Sequence, residues 1–375
     1  MISLLLVLVV VTALAFDFTN GFHDTANAMA TSIATGALRP RVAVAISAVA
    51  NLVGAFLSTE VAKTISGGLI RGEGQGFQIQ LAWIFAGLVG AILWNLLTWL
   101  LGLPSSSSHA MFGGLIGAVI IGAGVEHVDF GTVLGKVVLP ALLSPVVAGL
   151  AALLSTYLVY RLTESLSGRR VEAAYRHGQT ITATLVSLAH GTGDAQKTMG
   201  LITLALISAN LLPADAAPPI WVIAAAGVAI AVGTFTGGWR IIRTVGKGVT
   251  EIESPQGFAA EASSTATLLV SSHLGFALST TQVCTGSIVG SGLGRRLARV
   301  RWGTVGRMVL AWLLTLPAAG AVGGLAAWVA SFGGLGEVVV FLGLLGMVGA
   351  ILTRARRSPV TAHNVNEPVP VPVAA

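Results

Sequence analysis

The sequence predicts an all-α polytopic membrane protein of about eleven hydrophobic segments, arranged as two inverted repeats with broken helices and room for re-entrant hairpins. Three observations lead there. The 375 residues are 54% hydrophobic and 10% charged, against about 45–50% and about 25% in a soluble domain. Apolar runs near the ~20 residues that cross a bilayer recur along the chain. Two polar motifs of the first half return in the second half in the same order. The composition excludes a soluble enzyme. The lone Cys284 excludes an intramolecular disulfide, and no zinc-type Cys/His spacing appears. The formal charge of +6 does not mark a nucleic-acid binder, because the basic residues sit in short clusters between uncharged runs.

In chain order the segments are 2–36, 41–58, 81–102, 109–125, 132–160, 179–209, 219–239, 258–278, 282–294, 304–329 and 337–353. Polar interruptions near 17–24 and 190–194 predict unwound turns in the first and sixth. No Lys or Arg precedes Arg39, so the first is expected to be a retained helix and not a secretory signal. The segments at 109 and 282 are short and suit the legs of re-entrant hairpins. Trp83, Trp94, Trp99 and Trp302 are expected to include interfacial anchors.

With the N-terminus outside, the inner loops hold Arg39, Arg41, Arg161, Arg169, Arg170, Arg176, Arg240, Arg243, Lys247, Arg295, Arg296, Arg299, Arg301, Arg354, Arg356 and Arg357. The outer loops hold only Lys63 and Arg71. That asymmetry predicts a multi-pass cell-membrane protein, N-terminus outside and C-terminus cytoplasmic. Residues 1–160 read as the first repeat, 161–178 as a charged cytoplasmic linker, 179–353 as the second repeat and 354–375 as a disordered cytoplasmic tail.

GFHDTANAM at 21–29 and GTGDAQKTM at 191–199 align Gly21, Asp24 and Met29 with Gly191, Asp194 and Met199 at an offset of 170. PSSSSHA at 104–110 and LSTTQV at 278–283 align Ser107, Ser108 and His109 with Thr280, Thr281 and Gln282 at 173. The copies start five crossings apart, so the second enters the membrane in the opposite direction. This is the arrangement of secondary transporters, whose sites lie near midplane.

Acids in apolar spans are expensive and mark ion or proton paths. Asp24 and Asp194, with Asn20 and Asn27, offer oxygens for a hard cation on an unwound turn made accessible by Gly21, Gly191 and Gly193; capping of half-helices is the alternative. Ser105, Ser106, Ser107 and Ser108 open one helix and Ser279, Thr280 and Thr281 another. Hydroxyls and free amides at such ends hold oxyanions, although simple N-capping or close packing also uses them. An anion beside two aspartates needs intervening cations, which argues for coupled uptake. Lys197, one turn after Asp194, is expected to pair with it, and Glu261 is a candidate proton carrier or an interfacial acid. His23, His109, His190 and His273 are proton-relay or helix-contact candidates. A hydrolase built on His23–Asp24 and His190–Asp194 is the rival from another class, but no HExxH motif or nucleophile–base arrangement is present.

GFHDTANAMAT, SLAHGTGDAQKTMG, PSSSSHA and PQGFAAEASS with LSTTQVCTGSIVGSG closely resemble the inorganic phosphate transporter (Pit) family, over about residues 16–294. The resemblance implies a non-enzymatic secondary symporter of phosphate. By position it assigns Asp24, Asn27 and Asp194 to coupling ions or site organisation, and Ser107, Ser108, Thr280 and Thr281 to phosphate contact. Gln196 and Lys197 join the phosphate-contact candidates and resemble the bacterial low-affinity branch, which implies proton coupling and phosphate carried as a neutral metal complex. Two positions depart from the family pattern: Gly193 stands where Asn usually precedes the second Asp, and Gln282 where the motif usually has His. Sodium coupling and a sulfate permease of the same architecture are the alternatives. Inorganic phosphate and the lipid bilayer are the expected partners, with no nucleic acid and no cofactor; a homo-oligomer is left open.

Overall fold

The computed structural model describes residues 3–68, 79–166, 168–295 and 299–367. Among these, apart from a single Thr250–Val300 bridge, the regular structure is helical. The first half holds α1 (Leu4–Ala34), α2 (Pro40–Gly54), α3 (Glu60–Gly68), α4 (Leu81–Leu100), α5 (Ser107–Gly122) and α6 (Phe130–Val133). A π-helical turn at Leu134–Val138 carries α6 into α7 (Leu139–Thr163). The second half holds α8 (Gly168–Ser208), α9 (Ile220–Thr236), α10 (Trp239–Gly248), α11 (Ser254–His273), α12 (Thr280–Gly294), α13 (Trp302–Ala330) and α14 (Gly334–Arg356).

Five helical stretches, α1, α4, α6–α7, α13 and α14, are each long and apolar enough to cross a bilayer. α9 and α10 add a span bent by 66°, where Gly237 takes a φ of +75° that ends the first helix. α5 and α12, of 16 and 15 residues, reach about 24 and 22 Å at ~1.5 Å per residue, short of the ~30 Å hydrocarbon core. Both start at buried hydroxyl residues inside the protein, as legs of re-entrant hairpins do. Exposed Leu143, Leu150, Leu313 and Leu342 line the outer faces of α7, α13 and α14, leaving apolar surface for lipid to cover.

The helix breaks do not fall where the sequence suggested. α1 runs unbroken through 17–24 and α8 through 190–194. Asn20, Asp24 and Asp194 are buried against partners from distant helices, so no backbone opening is needed to satisfy them. Gly21 and Gly191 serve close approach instead: a Cβ would lie 2.2 Å from Ile230 O and 2.2 Å from Asn51 O, respectively.

The inversion is visible in one seam. Along α1 and α8, Thr35 pairs with Gln179, Asp24 faces His190 and Asn20 pairs with Asp194. One number rises as the other falls, so the two repeat-related helices run antiparallel. Packing is exchanged between the halves: α1 lies on α9 and α8 on α2, while α5 lies on α13 and α12 on α7. The exchange reaches single atoms. A Cβ at Gly113 would sit 2.3 Å from Leu316 O and one at Gly286 2.3 Å from Pro145 O. The corresponding distances are 2.0 Å for Gly117 to Gly320 O and 1.9 Å for Gly290 to Gly149 O. Such contacts exclude any side chain and let the backbones approach closely.

The described part of 161–178 is largely helical, because α8 starts at Gly168 and its first turns are tied down by Ser254 Oγ donating to Glu172 at 2.7 Å and by Tyr175 against the Phe258 ring. Residues 354–367 do not form a loose tail: α14 runs to Arg356, and Arg240 donates to Ala355 O at 2.8 Å, satisfying its terminal carbonyls. Trp83 is buried over Gly122 and Trp94 donates to Thr315, so both pack helices, while Trp302 is exposed. Arg71, Arg296 and the tail beyond Glu367 lie outside the described residues.

Candidate functional site

Asp24 on α1 and Asp194 on α8 meet at the centre, each 2% exposed. His23 Nδ1 donates to Asp24 Oδ1 at 2.7 Å, and Ser107 and Thr281 hydroxyls donate to the same oxygen at 3.4 and 3.3 Å. Lys197 Nζ lies 2.6 Å from Asp194 Oδ1, Thr280 donates to it at 3.1 Å, and Asn20 Nδ2 donates to Oδ2 at 3.2 Å. His190 Nε2 stands 3.4 Å from Asp194 Oδ2 and 3.9 Å from Asp24 Oδ2.

The contacts at the centre recur in repeat-related pairs, within each half and between them. Ser107 donates to Asp24 as Thr280 donates to Asp194. Asn20 reaches Asp194 as His190 reaches Asp24. Asn27 Nδ2 donates to Thr281 at 3.0 Å, and Lys197 donates to Ser108 at 2.5 Å. In each of the last two pairs the first half supplies an amide and the second a basic group, so the site is symmetric in shape but not in charge.

α5 and α12 deliver the hydroxyls by one local device. Ser106 Oγ accepts from His109 N at 3.2 Å and Ser279 Oγ from Gln282 N at 3.3 Å, so each fixes its helix start. The next two residues, Ser107–Ser108 and Thr280–Thr281, then face the acids with first-turn amides that have no intrahelical acceptor. Two positive helix ends and the Lys197 ammonium thus converge on one buried point.

Four expected phosphate contacts do not reach it. Ser106 and Ser279 spend their hydroxyls as caps. Ser105 bonds Thr98 at 2.8 Å behind His23. Gln196 Oε1 accepts from Val61 N at 2.7 Å and Ala62 N at 3.3 Å, serving the free amides at the start of α3. Glu261, 3% exposed, is no interfacial acid: Thr31, Ser32, Thr182 and Gln179 donate to it at 2.5, 2.7, 2.6 and 3.2 Å.

Of the remaining histidines, His109 and Gln282 face an apolar cavity of about 390 Å³ away from the acids, and His273 is exposed at the end of α11. Asn51, Thr98 and Thr234 were not singled out in the sequence. His190 Nδ1 donates to Asn51 Oδ1 at 3.2 Å, which holds the ring with Nε2 turned toward the two acids. Asn51 in turn donates to Thr234 at 2.7 Å. None of the three belongs to a repeated motif, and only burial marks them.

A solved structure described as the sodium-dependent phosphate transporter shares the fold, with a TM-score of 0.78 at 24% identity over 88% of this chain and 100% of that one. A protein of Mycobacterium tuberculosis described as a probable low-affinity inorganic phosphate transporter is 57% identical over 365 residues, 96% of this chain and 87% of its own length. One of Bacillus subtilis with the same description is 41% identical, covering 86% of this chain and 96% of its own. Residues 20–323, with both copies of the acid motif and both hydroxyl helix starts, match the phosphate transporter family, and the chain belongs to that family.

Proposed function

We propose that the protein imports inorganic phosphate by proton-coupled symport, alternating access between its two inverted halves, with the N-terminus outside. The observation that carries this reading is the convergence of Ser107 and Ser108 with Thr280 and Thr281 on Asp24, Asp194 and Lys197. The hydroxyls, helix-start amides and Lys197 suit the oxygens of a tetrahedral anion. The carboxylates repel that anion unless positive charge arrives with it, which makes uptake of phosphate and of cations mutually dependent. Two acids against one lysine leave room for more positive charge than the protein supplies.

Phosphate is proposed to travel as a neutral complex with a divalent metal. Asp24, His190 and Asp194 present ligand atoms within 4.8 Å of one another, a set that suits the metal of such cargo. Glu261, held by four donors on the same α1–α8 seam, is proposed as a second proton-handling group.

The test is labelled phosphate entry into vesicles of purified protein, with proton and sodium gradients imposed separately, with and without magnesium. A proton gradient alone should drive accumulation and magnesium should raise it. Accumulation driven only by sodium replaces the proton, and loss of uptake to excess unlabelled sulfate replaces the substrate.

A further inference from the structure

The repeat leaves the buried acid Asp17 without an acidic twin. The 170-residue offset relates Asp17 to Ser187, whose hydroxyl donates to Ser47 at 2.9 Å. Asp17 is 0% exposed, and neither of its carboxylate oxygens makes a hydrogen bond. Asn20 Oδ1 and Thr198 Oγ1, both in fully buried residues, are equally unpartnered.

These oxygens share one location. Thr198 and Asn20 are the polar side chains beside the Asp17 carboxyl, and Asp194 and Lys197 are the charges that act on it. The antiparallel register that pairs residue 24 with 190 and 20 with 194 brings residue 17 opposite 198, the next rung of the seam. Lys197 is not available to neutralise Asp17, because its ammonium already donates to Asp194, Ser108 and Leu278 O at 2.6, 2.5 and 3.3 Å. A carboxylate buried in a membrane protein with only a neutral hydroxyl and an amide beside it, and with the nearest ammonium engaged elsewhere, is costly enough to demand a cation of its own.

We propose that Asp17, Asn20 and Thr198 form a binding site for the monovalent coupling cation, one helical turn beyond the phosphate centre. The proposal rests on the reading of the chain as a cation-coupled symporter. A proton fills the site as an Asp17 O–H donating to Asn20 Oδ1. Sodium fills it through the carboxylate, the amide oxygen and the Thr198 hydroxyl, an all-oxygen set suited to a hard cation. Either supplies the same single positive charge. With the charge absent, Asp17 adds a second negative group on the Asp194 side of the anion and opposes its binding, and that opposition is the coupling. Ser187 stands at the related position, so the site exists once and not as a symmetric pair.

The experiment compares wild type with Asp17→Asn and Thr198→Val in vesicles. Two quantities are read: accumulation driven by a proton gradient without sodium or by a sodium gradient at equal pH, and phosphate–phosphate exchange without any gradient. Asn mimics a permanently neutral site, so Asp17→Asn should keep exchange while concentrative uptake falls at least about tenfold. Thr198→Val should raise the concentration of the driving cation needed for half-maximal uptake and leave that of phosphate unchanged. The gradient that drives wild type identifies the cation. Asp17→Asn accumulating phosphate as wild type does overturns the site alone. Loss of exchange in Asp17→Asn, with the cation dependence of Thr198→Val unchanged, also overturns it by making Asp17 merely structural. A wild type driven by neither gradient overturns the coupling reading and this site with it.

Discussion

His190 is shared by Asp194 and Asp24, with Nε2 at 3.4 Å from one carboxylate and 3.9 Å from the other. Two acids from opposite halves therefore act as one unit, and replacing either should stop transport. Asp24→Asn and Asp194→Asn are each expected to lower phosphate uptake at least about tenfold, a barrier change above ~1.4 kcal/mol. Their stabilities should differ. Asp194→Asn strands the buried Lys197 ammonium, at a cost of about 3–5 kcal/mol, whereas Asp24→Asn strands no lysine and leaves His23, Ser107 and Thr281 to adjust around a neutral amide. Uptake and thermal unfolding of the purified variants check both statements; near-normal transport by the pair contradicts the first.

Backbone contact between the halves gives a second prediction. A methyl at Gly21 would lie 2.2 Å from Ile230 O, with no flexible atom to yield, while one at Gly193 meets only Ser272 Oγ at 3.2 Å. Gly21→Ala should destabilise by about 1–3 kcal/mol or more, and Gly193→Ala should be close to neutral. Melting temperatures in detergent separate them, and equal losses would show that the α1–α9 contact is not the constraint.

The hydroxyls predict affinity changes. Ser108 and Thr281 each accept from a long polar side chain at the centre, Lys197 and Asn27 respectively. Ser108→Ala and Thr281→Ala should each raise the phosphate concentration for half-maximal uptake by about tenfold, the loss of one charge-assisted hydrogen bond. Ser105, turned toward Thr98, should tolerate Ala with little change in that concentration. An initial-rate series over phosphate concentration checks all three, and an unchanged KM in both centre variants removes these hydroxyls from phosphate contact.

Topology is checked through the single, buried Cys284. In a Cys284→Ser background, a cysteine replacing Lys63 should react with an impermeant maleimide on intact cells, and one replacing Arg356 only after lysis. The reverse pattern contradicts N-terminus-out.

The repeat was legible because paired motifs keep nearly constant offsets, and the inversion because the two copies start five hydrophobic segments apart. The course of α1 and α8 was not. Asp17, Asn20, His23 and Asp24 within one short stretch read as a break, since the partners of the last three, Asp194, Thr98 and Thr281, lie far along the chain. Gln196 looked like part of the acid motif, but a helix alternates faces and turns it toward α3. Asn51 carried no local signal at all; it matters because His190 comes to it from the other half.

The central claim is that anion and acids share one buried centre built equally by both halves. A density map of the protein in lipid with phosphate and magnesium tests it most directly. The account predicts tetrahedral density within hydrogen-bond reach of Ser107, Ser108, Thr280 and Thr281. Phosphate density confined elsewhere, such as the cavity beside His109 and Gln282, would contradict it.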